Sequence, residues 1–374
     1  MSTVIAHDTV RPFTSLSRSD VAWAGGKGAN LGELTGAGMP VPPGFVVGAP
    51  AYAAFCDESS LRERLTSELE TVAVDDSAAL DAAAAAARKL VLDTPIPEGV
   101  EATIRAAYAD LPHEGGDPVV AVRSSATGED TASASFAGMN ETYLGIRGAD
   151  AVVDAVRRCW ASLFGARTIF YRAKRGFGIA DMDIAVVVQM QIDSVRAGVM
   201  FTIDPASGNT DRLVIEGAFG LGESVVSGSV SPDRYVVDKT TGAIVTREIH
   251  RKELIIELEP DGGTVTRDLT AAESSTPTLT DDEVDELAGL GMRIESHYGV
   301  AQDTEWAFDR QARAWMLQAR PVTASGGTSL DGPATADASV ATGPVGKSLL
   351  HGLGAAPGRA SGPVRVLQSP SDGA

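Results

Sequence analysis

Two carboxylates, an amide and a guanidinium alternate with apolar residues in one stretch of the 374-residue chain. They are Asp303, Glu305, Gln318 and Arg320, within DTEWAFDRQARAWMLQARP (303–321). This stretch predicts two strands joined by a short polar turn at 309–313. Side chains alternate faces along a strand, so Asp303 and Glu305 share one face, and Gln318 and Arg320 share a face on the second strand. Residues of opposite parity are predicted to pack: Thr304, Trp306 and Phe308, then Trp315, Leu317 and Ala319. Carboxylate and amide oxygens suit a hard Mg²⁺ ion, and a guanidinium suits a terminal phosphate. A register that joins the two polar faces outlines a nucleotide–metal site. The same pattern also fits a surface hairpin with solvated charges, and the rest of the chain has to decide.

Other stretches carry similar chemistry. GGKG (25–28) opens a predicted helix. Its glycines let backbone approach a ligand closely, and Lys27 adds a point charge. A helix start just behind it favours an anion. The P-loop spacing GxxxxGK[ST] is absent, and GGKG alone equally describes a flexible turn with a solvated lysine. Arg123 follows a buried strand at 119–122, where an unpaired charge is costly, so it is expected to face a ligand or a carboxylate. A loop of small residues from Ser135 to Gly138 suits either a cover over phosphates or an ordinary surface loop. Glycines 217, 220, 222 and 228, with Glu223, suggest another close approach, although such loops are commonly turns.

The elements that must position these residues are mixed. Pro40, Pro42 and Pro43 lead into a short strand at 45–47, and a helix starts near Pro50. Residues 58–110 read as helices. An amphipathic helix over 150–178 turns Val153, Val156, Trp160 and Phe164 inward, with Arg167, Arg172, Lys174 and Arg175 on a solvated face. A buried strand spans 185–190. Residues 198–208 read as strand and turn, and 213–238 as strand, glycine loop, short helix and strand. A β-ribbon is expected over 243–266, and a helix over 281–298 with Thr280 as N-cap. The fold class is therefore α/β (α+β). The small, polar composition of 323–346 is that of a linker. The tail SLLHGLGAAPGRASGPVRVL reads as the opening of another small domain, too short to bury a core.

The formal net charge is −19. Such a chain repels nucleic-acid phosphates and anionic membrane surfaces, so neither is an expected partner. A polyanion site has to be a local basic exception, usually with a divalent cation. Cys56 and Cys159 are the two cysteines. Neither has metal-ligand spacing, and both are expected to be buried thiols in a reducing compartment. The N-terminal residues lack a signal-peptide pattern, and no apolar run approaches the length of a membrane span. The expected location is the cytoplasm.

GGKGANLGEL, VPPGF, AVRSSATGED, SFAGMNETYL, VVVQMQ, GVMFTIDP, FGLGESVVSG and DTEWAF…LQARPVT occur in that order. As a set they resemble the N-terminal nucleotide-binding half of the phosphoenolpyruvate synthase (pyruvate, water dikinase) family. Pyruvate phosphate dikinases and rifampin phosphotransferases share this half. The resemblance covers about residues 13–324. It implies a two-lobed ATP-grasp fold, with lobes over 1–188 and 189–324 and ATP and Mg²⁺ between them. A linker over 325–346 and the incomplete start of a swivelling phosphohistidine domain over 347–374 would follow. Carried over by motif, Lys27 and Arg123 would contact phosphates, and the loop from Ser135 to Gly138 would cover them. Gln189 and Met190 would lie at the lobe junction near adenine. Glu305 and Gln318 would bind Mg²⁺ with Asp303 beside them, and Arg320 would hold the terminal phosphate. Lys27, Arg123 and Arg320 are thus the implied catalytic set.

Members of that family pass the β-phosphoryl group of ATP through a pyrophosphorylated histidine to pyruvate, and the synthase hydrolyses the γ-phosphate. Here the family's glycine- and threonine-rich stretch leading into Ser-His-Ala does not occur. His7, His113, His250, His297 and His351 all lack its context. The pyruvate-binding barrel is also absent. The chain alone is therefore not expected to make phosphoenolpyruvate. A phosphohistidine domain would act in cis or in trans, and pyruvate would enter only through a missing domain. An isolated module, half of a split enzyme and a truncated product fit equally. Two other readings stand beside the synthase: a rifampin-type antibiotic kinase module and a non-catalytic nucleotide-binding protein. The tail directly following the linker favours the synthase order, and the intact site residues argue against decay.

Overall fold

IAVVVQM (184–190) carries apolar side chains on both faces, the pattern of a strand covered on both sides. It forms the centre of a five-stranded sheet. The computed structural model describes residues 8–70, 72–113, 115–127, 141–175 and 183–322. In chain order the elements begin with β1 (Val10–Pro12), α1 (Val21–Gly36), β2 (Gly44–Val47), α2 (Ala49–Glu58), α3 (Leu61–Leu69), α4 (Ser77–Asp93) and α5 (Glu98–Ala109). Next come β3 (Val119–Ala126), β4 (Thr142–Arg147), α6 (Ala149–Ala161), α7 (Ala166–Arg175), β5 (Ile184–Met190), β6 (Ser194–Phe201), β7 (Arg212–Phe219) and α8 (Glu223–Val226). The remaining elements are β8 (Asp233–Asp238), β9 (Ile244–Glu248), β10 (Leu254–Leu258), β11 (Thr264–Asp268), α9 (Ala271–Ser274), α10 (Asp281–Tyr298), β12 (Gln302–Asp309) and β13 (Ala314–Pro321). This is a mixed α/β molecule. The expected linker and tail lie outside the described residues, as do Ser135 and Gly138.

The first sheet runs β1-β2-β5-β3-β4, and its main core is built with α2 to α6 around Tyr52, Phe55 and Trp160. The second runs β13-β12-β6-β7-β8-β9 and buries Met200, Ile215, Phe308 and Met316 against α10. α10 starts at a capping box, with the Thr280 and Glu283 side chains each bonding the other's backbone N–H, and ends at Gly299 in the left-handed region. The first sheet ends at Met190 and the second begins at Ser194. A division at 188/189 therefore falls inside β5. The ribbon expected over 243–266 divides: β9 is an edge strand of the second sheet, and β10 and β11 form a separate two-stranded sheet that an isolated bridge from Ile256 to Gly220 ties to the body.

Two expectations need correction. Over its described residues the predicted helix 150–178 is two helices, because residues 162–164 tighten into a 3-10 turn and Gly165 is extended; residues 176–178 lie outside the described residues. Val153, Val156, Trp160 and Phe164 are buried as expected, and Arg167 and Lys174 are exposed, while Arg172 is half-buried. In the 303–321 hairpin, strict alternation fails on the second strand. Glu305 pairs with Gln318, but Trp306 pairs with Met316, so Leu317 is an extra, bulged residue. The bulge reverses parity beyond it. Met316 and Ala314 face the core in place of Leu317 and Trp315.

Candidate nucleotide site

The two polar faces of the hairpin do meet. Glu305 lies opposite Gln318, and Asp303 opposite Arg320. Arg320 donates from Nε and Nη2 to Asp303 Oδ2 at 2.9 and 2.8 Å. Burial raises the Asp303 carboxyl above the ordinary aspartate range, and the Arg320 charge only partly offsets this. Across from the hairpin stands Arg123 on β3. Its Nη1 donates to Glu305 Oε2 at 3.3 Å and to the Leu317 carbonyl at 3.5 Å. The expectation that Arg123 faces a carboxylate is met by a residue 182 positions away, on the other sheet. The bulge matters here, because it turns the Leu317 carbonyl out of the regular ladder.

Lys27 is presented by a break in α1. Gly25 has φ +68°, and a Cβ there would lie 2.2 Å from the Ser125 carbonyl oxygen. The buried Ser125 hydroxyl donates to the Ala24 carbonyl at 2.8 Å and accepts from the Gly28 N–H at 3.2 Å. It thereby holds both sides of the break, and the helix restarts beneath Lys27. The sequence reading did not single out Ser125. The signal was available: Ser125 stands two residues after Arg123, on the same side of β3, in RSSA.

These residues surround a cavity of about 460 Å³, within the roughly 300–1,000 Å³ of small-molecule sites. Lys27, Arg123, Gln189, Met190, Glu305, Gln318 and Arg320 all line it. Asp303 reaches it only through Arg320. Further residues complete the walls, and of these only Gly222 and Glu223 were expected near a ligand. Thr142 and Leu144 come from β4, and Gln191, Ile192 and Ser194 from the junction between the sheets. Leu221, Gly222 and Glu223 come from the glycine loop. Gln189 is 2% exposed, and its Nε2 has no hydrogen-bond partner among the described residues. An orphaned buried donor on a cavity wall is costly unless a ligand acceptor meets it.

The donor set fits a hard divalent cation. Glu305 and Gln318 oppose each other and offer a carboxylate and an amide oxygen. Mg²⁺ typically takes one or two carboxylates and draws its other oxygens from phosphates and water. Among the described residues, no group of three or more His, Cys, Asp or Glu side chains forms a metal cage. Also among them, no helix is long and apolar enough to cross a membrane. Cys56 and Cys159 are buried free thiols, and burial pushes the Cys56 thiol up to about 11.

The described geometry can be set beside known proteins. A probable phosphoenolpyruvate synthase from Methanothermobacter thermautotrophicus is 46% identical over 358 residues, covering 95% of this chain and 51% of that protein. The phosphoenolpyruvate synthase of Pyrococcus furiosus is 38% identical over 409 residues, covering 98% and 49%. That of Pseudomonas aeruginosa is 39% identical over 369 residues, covering 94% and 46%. The chain thus spans about half the length of these curated relatives. A crystal structure of the D-cycloserine synthetase DcsG shares 11% identity over 82% of this chain and 62% of its own, and its TM-score of 0.26 is too low to inform the fold. The family described as pyruvate phosphate dikinase, AMP/ATP-binding domain, matches residues 21–338. The chain belongs to that family.

Proposed function

We propose that the cavity binds Mg-ATP and that the chain is the phosphoryl-donating module of a phosphoenolpyruvate synthase-like dikinase, its two sheets serving as the lobes of an ATP-grasp fold. The observation that carries this reading is the convergence of Lys27 and Arg123 from the first half of the chain with Glu305, Gln318 and Arg320 from the second, around one nucleotide-sized cavity. In a chain of net charge −19, a cavity lined by Lys27, Arg123 and Arg320 against the two carboxylates Glu223 and Glu305 is a local reversal of charge that suits a polyphosphate carrying a divalent cation.

Lys27 would hold the phosphates as a point charge on a restarted helix. Arg123 and Glu305 neutralise each other across the cavity, and a cation–phosphate pair entering between them would offer each a new partner of opposite charge. Arg320 would donate to the terminal phosphate while Asp303 fixes its plane. Mg²⁺ held by Glu305 and Gln318 would neutralise charge on the phosphates. Catalysis would then be positioning and electrostatics. Gln189 and Met190, with the junction residues, would take the base. The acceptor would be a histidine on a phosphohistidine domain in cis or in trans, with pyruvate as the final acceptor, in keeping with the relatives' names.

Calorimetric titration of the chain with ATP, with and without Mg²⁺, tests the reading. Micromolar-range binding that requires Mg²⁺ and weakens in Arg320→Ala supports it. A folded chain that does not bind overturns it. With a supplied histidine domain, Glu305→Ala should abolish phosphoryl transfer while leaving the thermal transition in place, and undiminished transfer would remove Glu305 from the assignment.

A further inference from the structure

We propose that the β10–β11 ribbon is a latch between the two sheets that opens at Gly145 to admit and release the nucleotide. This rests on the nucleotide reading of the cavity. The ribbon is rooted on the second sheet's side. The Leu221 N–H donates to the Ile256 carbonyl at 2.8 Å, and a Cβ on Gly220 would stand 2.2 Å from that oxygen. Just before the ribbon, the fully buried Lys252 donates to the fully buried Asp233 at 2.6 Å. The tip of the ribbon reaches the first sheet. The Gly263 N–H donates to the Gly145 carbonyl of β4 at 2.7 Å, and a Cβ on Gly145 would lie 2.4 Å from Gly263 N. Leu144, beside the tip contact, and Leu221, beside the root, both line the cavity. The ribbon therefore runs from one cavity wall to the other.

What holds the sheets together differs across the molecule. Leu34 of α1, with Met39 just beyond it, enters the second sheet's core, and the Met316 N–H of β13 donates to the Pro40 carbonyl at 2.7 Å. That joint is broad, apolar and placed at the β13 end of the sheet. The ribbon is rooted beside β7, three strands away, and it meets β4 as glycine against glycine. A broad apolar joint and a small backbone contact on different sides of a cavity have the geometry of a hinge and a latch. When the sheets part for exchange of the ligand between them, the small contact yields first.

The latch can be locked. An ideal Cβ on Gly262 lies 3.4 Å from the Arg147 Cβ, close to the roughly 3.5–4.5 Å of a disulfide. The test uses the full chain carrying Arg147→Cys and Gly262→Cys. Gly262 has φ +97°, and a Cβ there would also press to 2.8 Å on the Gly145 carbonyl oxygen of the latch itself, so only the difference between the oxidised and reduced forms of one protein is read. Release of a fluorescent ATP analogue in Mg²⁺ is followed by stopped flow. The cross-link should slow release at least about tenfold, with dithiothreitol restoring it. Equal release from the two forms overturns the proposal; where the clash at Gly262 keeps the cysteines from cross-linking, the exchange measurement decides. Hydrogen exchange of the Gly263 amide, bonded to Gly145 at the tip, against that of the Leu221 amide, bonded to Ile256 at the root, in the wild-type chain without nucleotide supplies an independent reading. Much faster exchange at the tip supports an opening latch, and equal protection overturns it. If no form binds the analogue, the nucleotide reading fails and the exchange result alone decides the latch.

Discussion

The second half of the chain contains two β-hairpins built in opposite ways. In β12–β13, the first strand pairs on both sides, with β13 and with β6. Phe308, Met316 and Ala319 anchor it in the core, and Glu305 and Gln318 ride on that support. In β10–β11, the strands pair with each other, and an isolated bridge at Ile256 ties them to the body. β11 is exposed throughout, and the tip is held by glycine backbone. A charge that must stand within a fraction of an ångström of a phosphate needs a packed layer beneath it. A contact that must open needs little burial. The same secondary structure thus serves placement in one case and release in the other.

The comparison predicts its largest effect in the packed hairpin. Phe308 is fully buried and lies edge-to-face with Trp306 at 5.9 Å. Phe308→Ala should cost about 3–5 kcal/mol of stability, read by urea unfolding. A loss below about 1 kcal/mol would show that the core beneath the site is not what holds it. Ser125→Ala comes next. It leaves the Ala24 carbonyl and the Gly28 N–H without their shared partner, a cost of about 1–3 kcal/mol if both stay buried. Because the hydroxyl acts through the Lys27 turn, its effect on nucleotide affinity should shrink in a Lys27→Met background. Additive losses would assign Ser125 a purely structural role.

A smaller effect is expected from the Asp303 carboxyl, whose affinity for its proton is raised by burial. A carboxyl that titrates higher in the folded state contributes stability that is full below the unfolded value of about 3.9 and is lost as pH rises through the folded value. Asparagine cannot lose that proton. The melting temperature of Asp303→Asn relative to wild type should therefore climb as pH rises from below that range, then level off. A gap that is flat with pH would mean that Arg320 fully compensates the buried charge.

Local patterns were legible in the sequence, and long-range backbone contacts were not. The start of α10 was readable because Thr280 is a favoured N-cap residue ahead of a helical run. The convergence of Asp303, Glu305, Gln318 and Arg320 was readable because strand parity is local. The bulge at Leu317 was not, since a one-residue insertion is defined only against its partner strand. Strand parity could have placed Ser125 beside Arg123, but its role could not be read, because its hydrogen bond to Gly28 spans 97 positions. The ribbon tip escaped for a stronger reason. Its partners are Gly145 and Gly263, and glycine meeting glycine leaves no side-chain pattern to read.

The smallest predicted effect tests whether the ribbon is held by backbone or by charge. Arg267 on β11 donates to Glu257 at 3.2 Å and to Glu273 at 3.5 Å, and all three side chains are exposed. Exposed pairs of this kind are screened by salt and contribute little. The ribbon keeps five backbone register pairs and its root at Ile256 without them. Arg267→Ala should therefore leave the melting temperature and the nucleotide release rate unchanged within error, at low and at physiological ionic strength. A clear loss at low salt that fades at high salt would show that surface charge holds the ribbon to the body. The contrast between a side-chain-anchored hairpin and a backbone-held latch would then not stand, because both would depend on side chains, one on buried apolar groups and the other on exposed charges.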